Sequence, residues 1–529
     1  MTRDLFEQDM EDDSLRHGEA LPGARSGQAP GMQASPVPKD SPRIEALRTA
    51  FPIKGVLKPH QAVALDEAGG KDGHALFIDP GGGKTLTCIA EASKLWAEGQ
   101  IDGVLIIAPN RPHMQWVDEQ FPLWADVPVH TNHNREPPGR MRKWFDKAGS
   151  RAMGVLAINF ESVITPKGRE LMDRFYEKYP RVYLINDESQ KTKNPTAART
   201  KAVMIQALRS ERRRILSGTP LLNGLEDMWS QYEIAKPGLG WPHEPIRMLP
   251  RNKVSTHGYL GFKAHYCVTR PIRGTRQEMI VGYRNQGHLH ARVQPYVTRI
   301  LSEDFSKMPK PDIIRRPVEM NPAQRAKYNS MQDELLAQIE GETITADNAL
   351  VQMGKLLQIA NGFLYRADRE TDGWEPLSTT KVDDTCDLIE LLEERVIVWS
   401  PYIAQQQMFL IEAMDRNERK LWRPRNIYNV DQLEQWKNDP LGVLFGNQGS
   451  GLGVGLNLQM CAANIYMANT FNAEHRWQSI ARTDRIGQQH QVRVWDQITD
   501  GTLEVGVVDA LLRKERLAVE NIDVLRSLL

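Results

Sequence analysis

The sequence has few cysteines, no net charge and no long apolar run, and each absence narrows the class of protein. Its four cysteines lie far apart and form no Cys-x-x-Cys pair, which argues against a disulfide framework or a zinc site and indicates a reducing compartment. The first residues, MTRDLFEQDMEDDS, are acidic where a secretory signal would be basic and then apolar. No apolar run approaches the roughly 18 residues of a membrane span. We therefore expect a soluble protein of the cytoplasm with no membrane partner. The small size of the chain suggests a bacterial or phage-infected cell.

What is present is the composition of a globular protein, with 40% hydrophobic and 25% charged residues. A length of 529 residues suggests about three domain-sized units. Lysine and arginine balance aspartate and glutamate at 67 each, so the total charge neither favours nor excludes nucleic acid. Residues 1–44 are acidic and then rich in Gly, Pro and Ser, which predicts a disordered tail.

Short apolar runs alternate with helical patterns in two parts of the chain. The runs lie at 75–78, 104–109, 155–158, 182–187 and 214–219, and again at 396–400, 442–447 and 462–469. Continuous apolar strands separated by helices are typical of a parallel sheet covered on both faces. The predicted fold is therefore α/β, with one lobe at 45–240, a second at 376–529, and a basic, mostly helical connecting region at 241–375.

The connecting region carries a local excess of positive charge. Between Arg251 and Arg316 there are 13 Lys or Arg and 4 Asp or Glu. One interpretation is a surface that contacts duplex DNA. The other is a solvated face, or a pairing site for the acidic tail.

The stretch FIDPGGGKTLTCIA, residues 77–90, places three glycines before a Lys-Thr pair and between an apolar run and a helical pattern. Glycines let backbone N–H groups approach phosphates, a lysine reaches the β- and γ-phosphates, and a hydroxyl holds Mg²⁺. The residues in these roles are Gly81, Gly82, Gly83, Lys84 and Thr85. The alternative is a glycine-rich turn from strand to helix without a ligand.

Two further elements suit nucleotide hydrolysis. The strand VYLIND leads into Asp187 and Glu188, which could bind Mg²⁺ and activate water, unless they form a solvated acidic turn. Arg482 and Arg485 lie three residues apart in ARTDRIGQ and would share one helical face. They could neutralise charge on a γ-phosphate, or they could form a solvated basic face. The stretch GSGLGVGLN (449–457) has no lysine and indicates a tight loop near a backbone or ligand.

Read in order, these elements resemble helicase superfamily 2, and within it the Swi/Snf-like double-stranded-DNA translocases, from about Val56 to Glu515. The segments of the first lobe that carry the resemblance are LKPHQ (57–61), VLIIAPNRPHMQWVDEQF (104–121), INFES (158–162), DESQKTKNPTAARTKAV (187–203) and RRILSGTPLLNGLEDMWSQYEIAKPG (213–238). The later segments are PYVTRILSEDF (295–305), VEMNPAQRAKYNSM (318–331), LLQIANGFLY (356–365), VIVWSPY (396–402), GSGLGVGLN (449–457) and WQSIARTDRIGQQHQVRVW (477–495). Three positions depart from the family pattern: Ser189-Gln190 replaces the usual Ala/Gly-His, Pro80 replaces a larger residue, and Phe471 replaces a common tryptophan.

The resemblance implies two RecA-like lobes, the cofactors ATP and Mg²⁺, and a role for each matching residue. Lys58 and Gln61 would contact adenine, and the glycines with Lys84 and Thr85 would hold the phosphates, with Gly453 from the second lobe. Thr85 and Asp187 would bind Mg²⁺, and the catalytic set would be Lys84, Asp187, Glu188, Arg482 and Arg485. The implied DNA contacts are Asn110, Arg111, Asn159, Ser217, Thr219, Asn223, Ser400, Gly451 and Asn457.

The implied activity is ATP-dependent translocation on double-stranded DNA, with remodelling of protein–DNA or branched-DNA structures in replication, recombination or repair. Two alternatives remain within the enzyme class: a strand-separating superfamily 2 helicase, or the motor of a restriction-type system. Outside the enzyme class, the alternative is a DNA-binding scaffold whose ATPase is inactive. The presence of Lys84, Asp187, Glu188 and both arginines argues against that scaffold.

Overall fold

The computed structural model describes residues 41–147, 152–218, 220, 224–271, 278–305, 309–340, 346–366, 373–416, 421–422, 430–449, 456–485 and 487–512. Most of the predicted tail therefore lies outside the described residues. Helix α1 (Pro42–Leu47) already begins within its last residues, because the Ser41 hydroxyl accepts a hydrogen bond from the Ile44 N–H and caps the helix. Within the described ranges, no helix is both long enough and apolar enough to cross a bilayer.

The first lobe is built on a parallel sheet. Its strands up to residue 217 are β1 (Gly73–Ile78), β2 (Gly103–Ala108), β3 (Val129–His133), β4 (Met153–Asn159), β5 (Val182–Asp187) and β6 (Arg212–Ser217). Its helices after α1 are α2 (Pro59–Ala68), α3 (Lys84–Ala97), α4 (Pro112–Gln115), α5 (Phe121–Trp124), α6 (Pro138–Lys147), α7 (Pro166–Lys178), α8 (Ala198–Arg209) and α9 (Met228–Ala235).

The region between the lobes mixes strands and helices. Its strands are β7 (Arg247–Leu249), β8 (Lys253–Ser255), β9 (Cys267–Pro271), β10 (Glu278–Tyr283), β11 (Val297–Ile300), β12 (Asp312–Pro317), β13 (Phe363–Tyr365) and β14 (Trp374–Pro376). Its helices are α10 (Gly258–Tyr266), α11 (Gln286–Val293), α12 (Pro322–Glu340) and α13 (Ala346–Ala360). Among the described residues, β7 pairs with β8, β9 with β10, and β13 with β14, each pair antiparallel.

The second lobe repeats the parallel arrangement. Its strands are β15 (Val396–Trp399), β16 (Leu421–Trp422), β17 (Val443–Gly446), β18 (Ala463–Tyr466) and β19 (Arg493–Ile498). Its helices are α14 (Thr380–Leu391), α15 (Ile403–Asp415), α16 (Val430–Lys437), α17 (Ala473–Thr483) and α18 (Leu503–Leu512).

Each sheet takes an edge strand from the connecting region. In the part of the chain that is described, the first sheet has the order β11-β1-β6-β5-β2-β4-β3 and the second β12-β19-β18-β15-β17-β16, with every neighbouring pair parallel. The domain limits remain a prediction, but residues 297–300 and 312–317 belong structurally to the two sheets. The connecting region is therefore built into both lobes.

The predicted two-lobed α/β fold with parallel sheets is confirmed. In β1, Ala75 and Phe77 pack into one buried cluster while Leu76 and Ile78 pack into another. This alternation shows that helices cover both faces of the sheet. The carboxyl ends of parallel strands meet at one edge, so the loops after β1, β5 and β6 lie together there.

Candidate nucleotide site between the lobes

The loop after β1 has a backbone that only glycine adopts easily. Gly81 and Gly83 have φ angles of +84° and +79°, in the left-handed region that is strained for other residues. A Cβ on Gly82 would lie 2.4 Å from Cγ2 of Ile78. Helix α3 begins at Lys84, so backbone N–H groups of its first turn are available to an anion. The loop therefore has the glycine backbone and the helix N–H groups that a phosphate-binding loop requires.

The two residues expected at adenine lie beside this loop. Gln61 is buried, donates through Nε2 to the Gly83 carbonyl at 3.2 Å, and accepts the Lys58 N–H at 2.8 Å. The neighbouring His60 ring contacts the Gly82 carbonyl at 2.8 Å. The Lys58 residue is exposed. Helix α2 thus contacts the glycine loop from one side. The Gln61 amide links the loop to the N-terminus of α2.

The acidic pair lies at the end of β5, within electrostatic reach of Lys84. The Trp116 indole, in a π-helical turn, donates to Oδ2 of Asp187 at 2.9 Å. Burial and the adjacent Glu188 raise the pKa of Asp187 to about 6, while the indole and Lys84 oppose the rise. Burial lowers the pKa of Lys84, and the two carboxylates oppose that shift. The Lys84 ammonium donates to the Ile78 carbonyl at 2.8 Å.

This set of groups fits Mg²⁺ bound together with a nucleotide. Among the described residues, no group of three or more His, Cys, Asp or Glu could hold a metal ion. Mg²⁺ commonly uses one or two protein ligands and completes its shell with water and phosphate oxygens. Thr85 and Asp187 are the residues that would serve as these ligands.

The two arginines of the second lobe lie against the first lobe. Arg482 is only 7% exposed, and Glu188 and Asp187 partly offset the burial that lowers its pKa. Burial and the charge of Arg482 lower the pKa of Arg485 to about 9. A Cβ built on Gly81 would lie 3.4 Å from the Cα of Arg485. The structure thus brings both arginines to the phosphate loop and the acidic pair.

The second arginine reaches this position differently from the sequence expectation. Helix α17 ends at Thr483, so Arg485 lies just beyond it and does not share a helical face with Arg482. Its Nε atom donates to the Ala481 carbonyl at 2.9 Å. This bond satisfies a carbonyl in the last turn and orients the guanidinium group.

The residues expected to contact DNA fall into three groups. Asn110 and Asn457 are exposed, and Arg111 has an unusual φ of +75° at the start of α4. The side chains of Asn159, Ser217 and Ser400 are buried and bond internally, to Asn134 and Glu161, to Gln190, and to Gln405 respectively. Thr219, Asn223 and Gly451 lie outside the described residues, as does Gly453 of the nucleotide set. The assignment of all these residues stays a prediction.

Part of the basic excess between 251 and 316 is neutralised within the fold. Ion pairs join Arg299 to Asp79, Arg315 to Asp509, and Arg316 to Asp384. These three acids lie outside the basic segment, in the two lobes. The paired arginines bind connecting-region strands to the sheets, which leaves less free charge for DNA than the sequence count indicates.

The structure adds four residues that motif reasoning missed. The Asp79 carboxylate, just before the glycines, accepts bonds from Arg299 and from the Ser302 N–H, which fixes the entry to the loop. Trp116 holds Asp187 from 71 positions away. Gln190 and Glu474 connect the lobes through a hydrogen bond of 3.2 Å. The unusual Ser189-Gln190 pair was the one visible signal for this contact.

The fold and the site define a P-loop nucleotide-binding protein whose site lies between two parallel-sheet lobes. The family model of the SNF2-related domain matches residues 63–362, and the chain belongs to this family.

Known proteins resemble the chain at low identity over most of its length. It is 22% identical to Protein CHROMATIN REMODELING 5 of Arabidopsis thaliana, over 87% of this chain and 27% of that protein. It is 23% identical to the DNA annealing helicase and endonuclease ZRANB3 of Mus musculus, over 88% of this chain and 40% of that protein. A solved structure, the Sulfolobus solfataricus SWI2/SNF2 ATPase core in complex with dsDNA, is 22% identical over 91% of this chain and 95% of that one, with a TM-score of 0.39. The chain spans between 27% and 39% of the length of the first curated relatives.

Proposed function

We propose that the protein is a DNA-dependent ATPase that translocates on double-stranded DNA and remodels protein–DNA or branched-DNA structures. The observation that carries the proposal is the position of Arg482 and Arg485 of the second lobe against the phosphate loop and acidic pair of the first. A site divided in this way links hydrolysis to movement between lobes. Membership of the SNF2-related family, with relatives described as a chromatin-remodelling protein and a DNA annealing helicase, supports DNA as the partner.

Each part of the site has a chemical role in hydrolysis. The N–H groups at the start of α3 and the Lys84 ammonium hold the β- and γ-phosphates, and Gln61 contacts the adenine. Thr85 and Asp187 would hold Mg²⁺, which when bound would neutralise charge on the phosphate oxygens. Glu188 accepts a proton from the attacking water.

The arginines make the reaction depend on closure of the cleft. Charge on the transferring phosphoryl group is spread over its oxygens, and guanidinium groups stabilise it in the transition state. Because the arginines come from the second lobe, hydrolysis requires both lobes in contact, and product release follows their separation. If each lobe grips DNA in a different state of the cleft, each cycle moves the protein along the duplex.

The decisive experiment measures ATP hydrolysis with no nucleic acid, single-stranded DNA, duplex DNA, forked DNA and RNA. We expect duplex DNA to stimulate turnover and the Lys84→Ala variant to remain inactive with every nucleic acid. Stimulation by RNA alone, or activity retained in Lys84→Ala, would contradict the proposal.

A second pair of assays separates the translocase from the strand-separating helicase. A translocase displaces the third strand of a triplex but leaves a forked duplex paired. A helicase separates the forked duplex. Triplex displacement without strand separation is the expected result, and the opposite outcome supports the alternative.

A further inference from the structure

One contact between the lobes involves a residue with no assigned role. Glu474 lies in the first turn of α17, with its side chain only 10% exposed. Its Oε1 atom is 3.3 Å from the ammonium of Lys191 and accepts hydrogen bonds from Gln190 at 3.2 Å and Gln478 at 3.0 Å. Two of these three partners, Gln190 and Lys191, belong to the first lobe and lie two and three residues after Glu188.

The Gln190 amide connects Glu474 to the residue expected to activate water. Its Nε2 atom donates to Oε2 of Glu188 at 2.6 Å as well as to Glu474. Its Oε1 atom accepts the hydroxyl of Ser217 at 2.7 Å. The reversed amide would set a carbonyl oxygen against two carboxylates, so the hydrogen bonds permit one orientation.

We propose that Glu474 and Gln190 are positioning residues that set the orientation of the Glu188 carboxylate when the second lobe lies against the first. Glu474 fixes one N–H of the amide from the second lobe, and Ser217 fixes the carbonyl from the end of β6. The second N–H then holds one oxygen of Glu188 and leaves the other to accept a proton. The inference rests on the proposed function, because it takes Glu188 as the group that activates water.

The geometry of α17 explains why the contact between Glu474 and Gln190 depends on closure of the cleft between the lobes. Glu474 at the start of the helix contacts Gln190 and Lys191 of the first lobe, and the buried Arg482 near its end lies within electrostatic reach of Asp187 and Glu188. The Asn472 side chain caps its N-terminus by accepting the His475 N–H, which fixes where the first turn begins. Helix α17 therefore carries both Arg482 and the residue that orients the general base, so one movement of the second lobe places both.

The test compares Glu474→Ala, Gln190→Ala, the double variant and wild type in ATP hydrolysis with saturating duplex DNA. Binding of a fluorescent ATP analogue is measured in parallel, and thermal unfolding checks that each variant is folded. Glu434→Ala is the matched control. Like Glu474, Glu434 is a helical glutamate of the second lobe that pairs with a lysine, but its partner, Lys437, lies on the same helix, α16, and not in the first lobe.

We expect Glu474→Ala to lower kcat about tenfold, the effect of losing one charge-assisted hydrogen bond at the transition state, with analogue affinity changed less than twofold. The double variant should be no slower than Gln190→Ala alone, because Glu474 acts through that amide. The control should match wild type.

Each of three results would overturn the inference: an unchanged kcat in Glu474→Ala, a loss of analogue affinity as large as the loss in kcat, or effects of the two substitutions that multiply. Failure of the proposed function is distinguishable, since wild-type protein would then show no DNA-stimulated hydrolysis at all.

Discussion

Replacing Gly83 by alanine tests the link between the phosphate loop and the residue expected at adenine. Gly83 has a left-handed backbone, and a Cβ there would lie 2.2 Å from Nε2 of Gln61. That distance is far below ordinary contact, so the buried glutamine amide must move. Gly99→Ala is a matched control, since Gly99 has a φ of +69° but nothing within 4 Å of its Cβ position.

The expected losses of unfolding free energy follow from the different surroundings of Gly83 and Gly99. A residue with a Cβ in the left-handed region costs about 1–2 kcal/mol, and both variants incur this cost. Moving Gln61 also breaks its bonds to the Gly83 carbonyl and the Lys58 N–H, at about 1 kcal/mol each. Gly83→Ala should therefore lower the free energy of unfolding by about 2 kcal/mol more than Gly99→Ala does.

The assay combines denaturant unfolding with ATP and GTP binding for both variants. We expect Gly83→Ala to bind ATP at least about tenfold more weakly, as the loss of one good hydrogen bond predicts. Its preference for ATP over GTP should also shrink, because Gln61, the residue proposed to contact adenine, is displaced. Gly99→Ala should bind both nucleotides as wild type does. Equal stability of the two variants, or wild-type ATP binding by Gly83→Ala, would refute the reasoning.

Three further substitutions test the chemistry of the site. Arg485→Ala should reduce kcat about 10³-fold, as loss of an arginine finger does, and a change below about threefold in steady-state hydrolysis would make the residue structural. Glu188→Gln should bind ATP normally but turn over at least about 10²-fold more slowly; wild-type turnover in a single-cycle assay would remove it from the mechanism. Trp116→Phe removes a donor to ionised Asp187, so the pKa of Asp187 should rise above about 6, and the acid limb of kcat/KM should move to higher pH by up to about one unit. Trp124→Phe, whose indole donates to a glutamine side chain elsewhere, should leave that limb unchanged, and an unmoved limb in Trp116→Phe would contradict the role of the indole.

Most interior strands could be predicted from the sequence, and the edge strands could not. The interior strand β19 (RVWDQI) was missed because Arg493, Asp496 and Gln497 interrupt its apolar run. β1 has both faces buried and is continuously apolar from Ala75 to Ile78, which makes it visible as a run. β3 (VHTNH), at one edge of the first sheet, and β12 (DIIRRP), at one edge of the second, contain polar and charged residues. An edge strand has one paired neighbour and an exposed side, so its sequence need not be apolar.

In the candidate site, residues that are contiguous in the sequence could be predicted, and contacts between residues far apart in the sequence could not. Gly81 to Thr85 are contiguous, and the backbone conformation they need is evident from their residue types. The hydrogen bond from Gln190 to Glu474 joins residues 284 positions apart, and a single sequence gives no means of pairing them. The acids that pair with arginines of the segment 251–316 also lie far away in the chain. The charge count of that segment therefore overestimated its free positive charge.

Helix α17 has a mechanical consequence for the proposed cycle of closing and opening between the lobes. Glu474 and Arg482 are eight residues apart, which is about 12 Å of axial rise in a structure that hardly stretches. A stiff helix of this kind holds its two ends at a fixed separation, so a movement of the second lobe displaces Glu474 and Arg482 together. Inserting a single residue between them would turn the guanidinium group about 100° around the axis and separate the two actions.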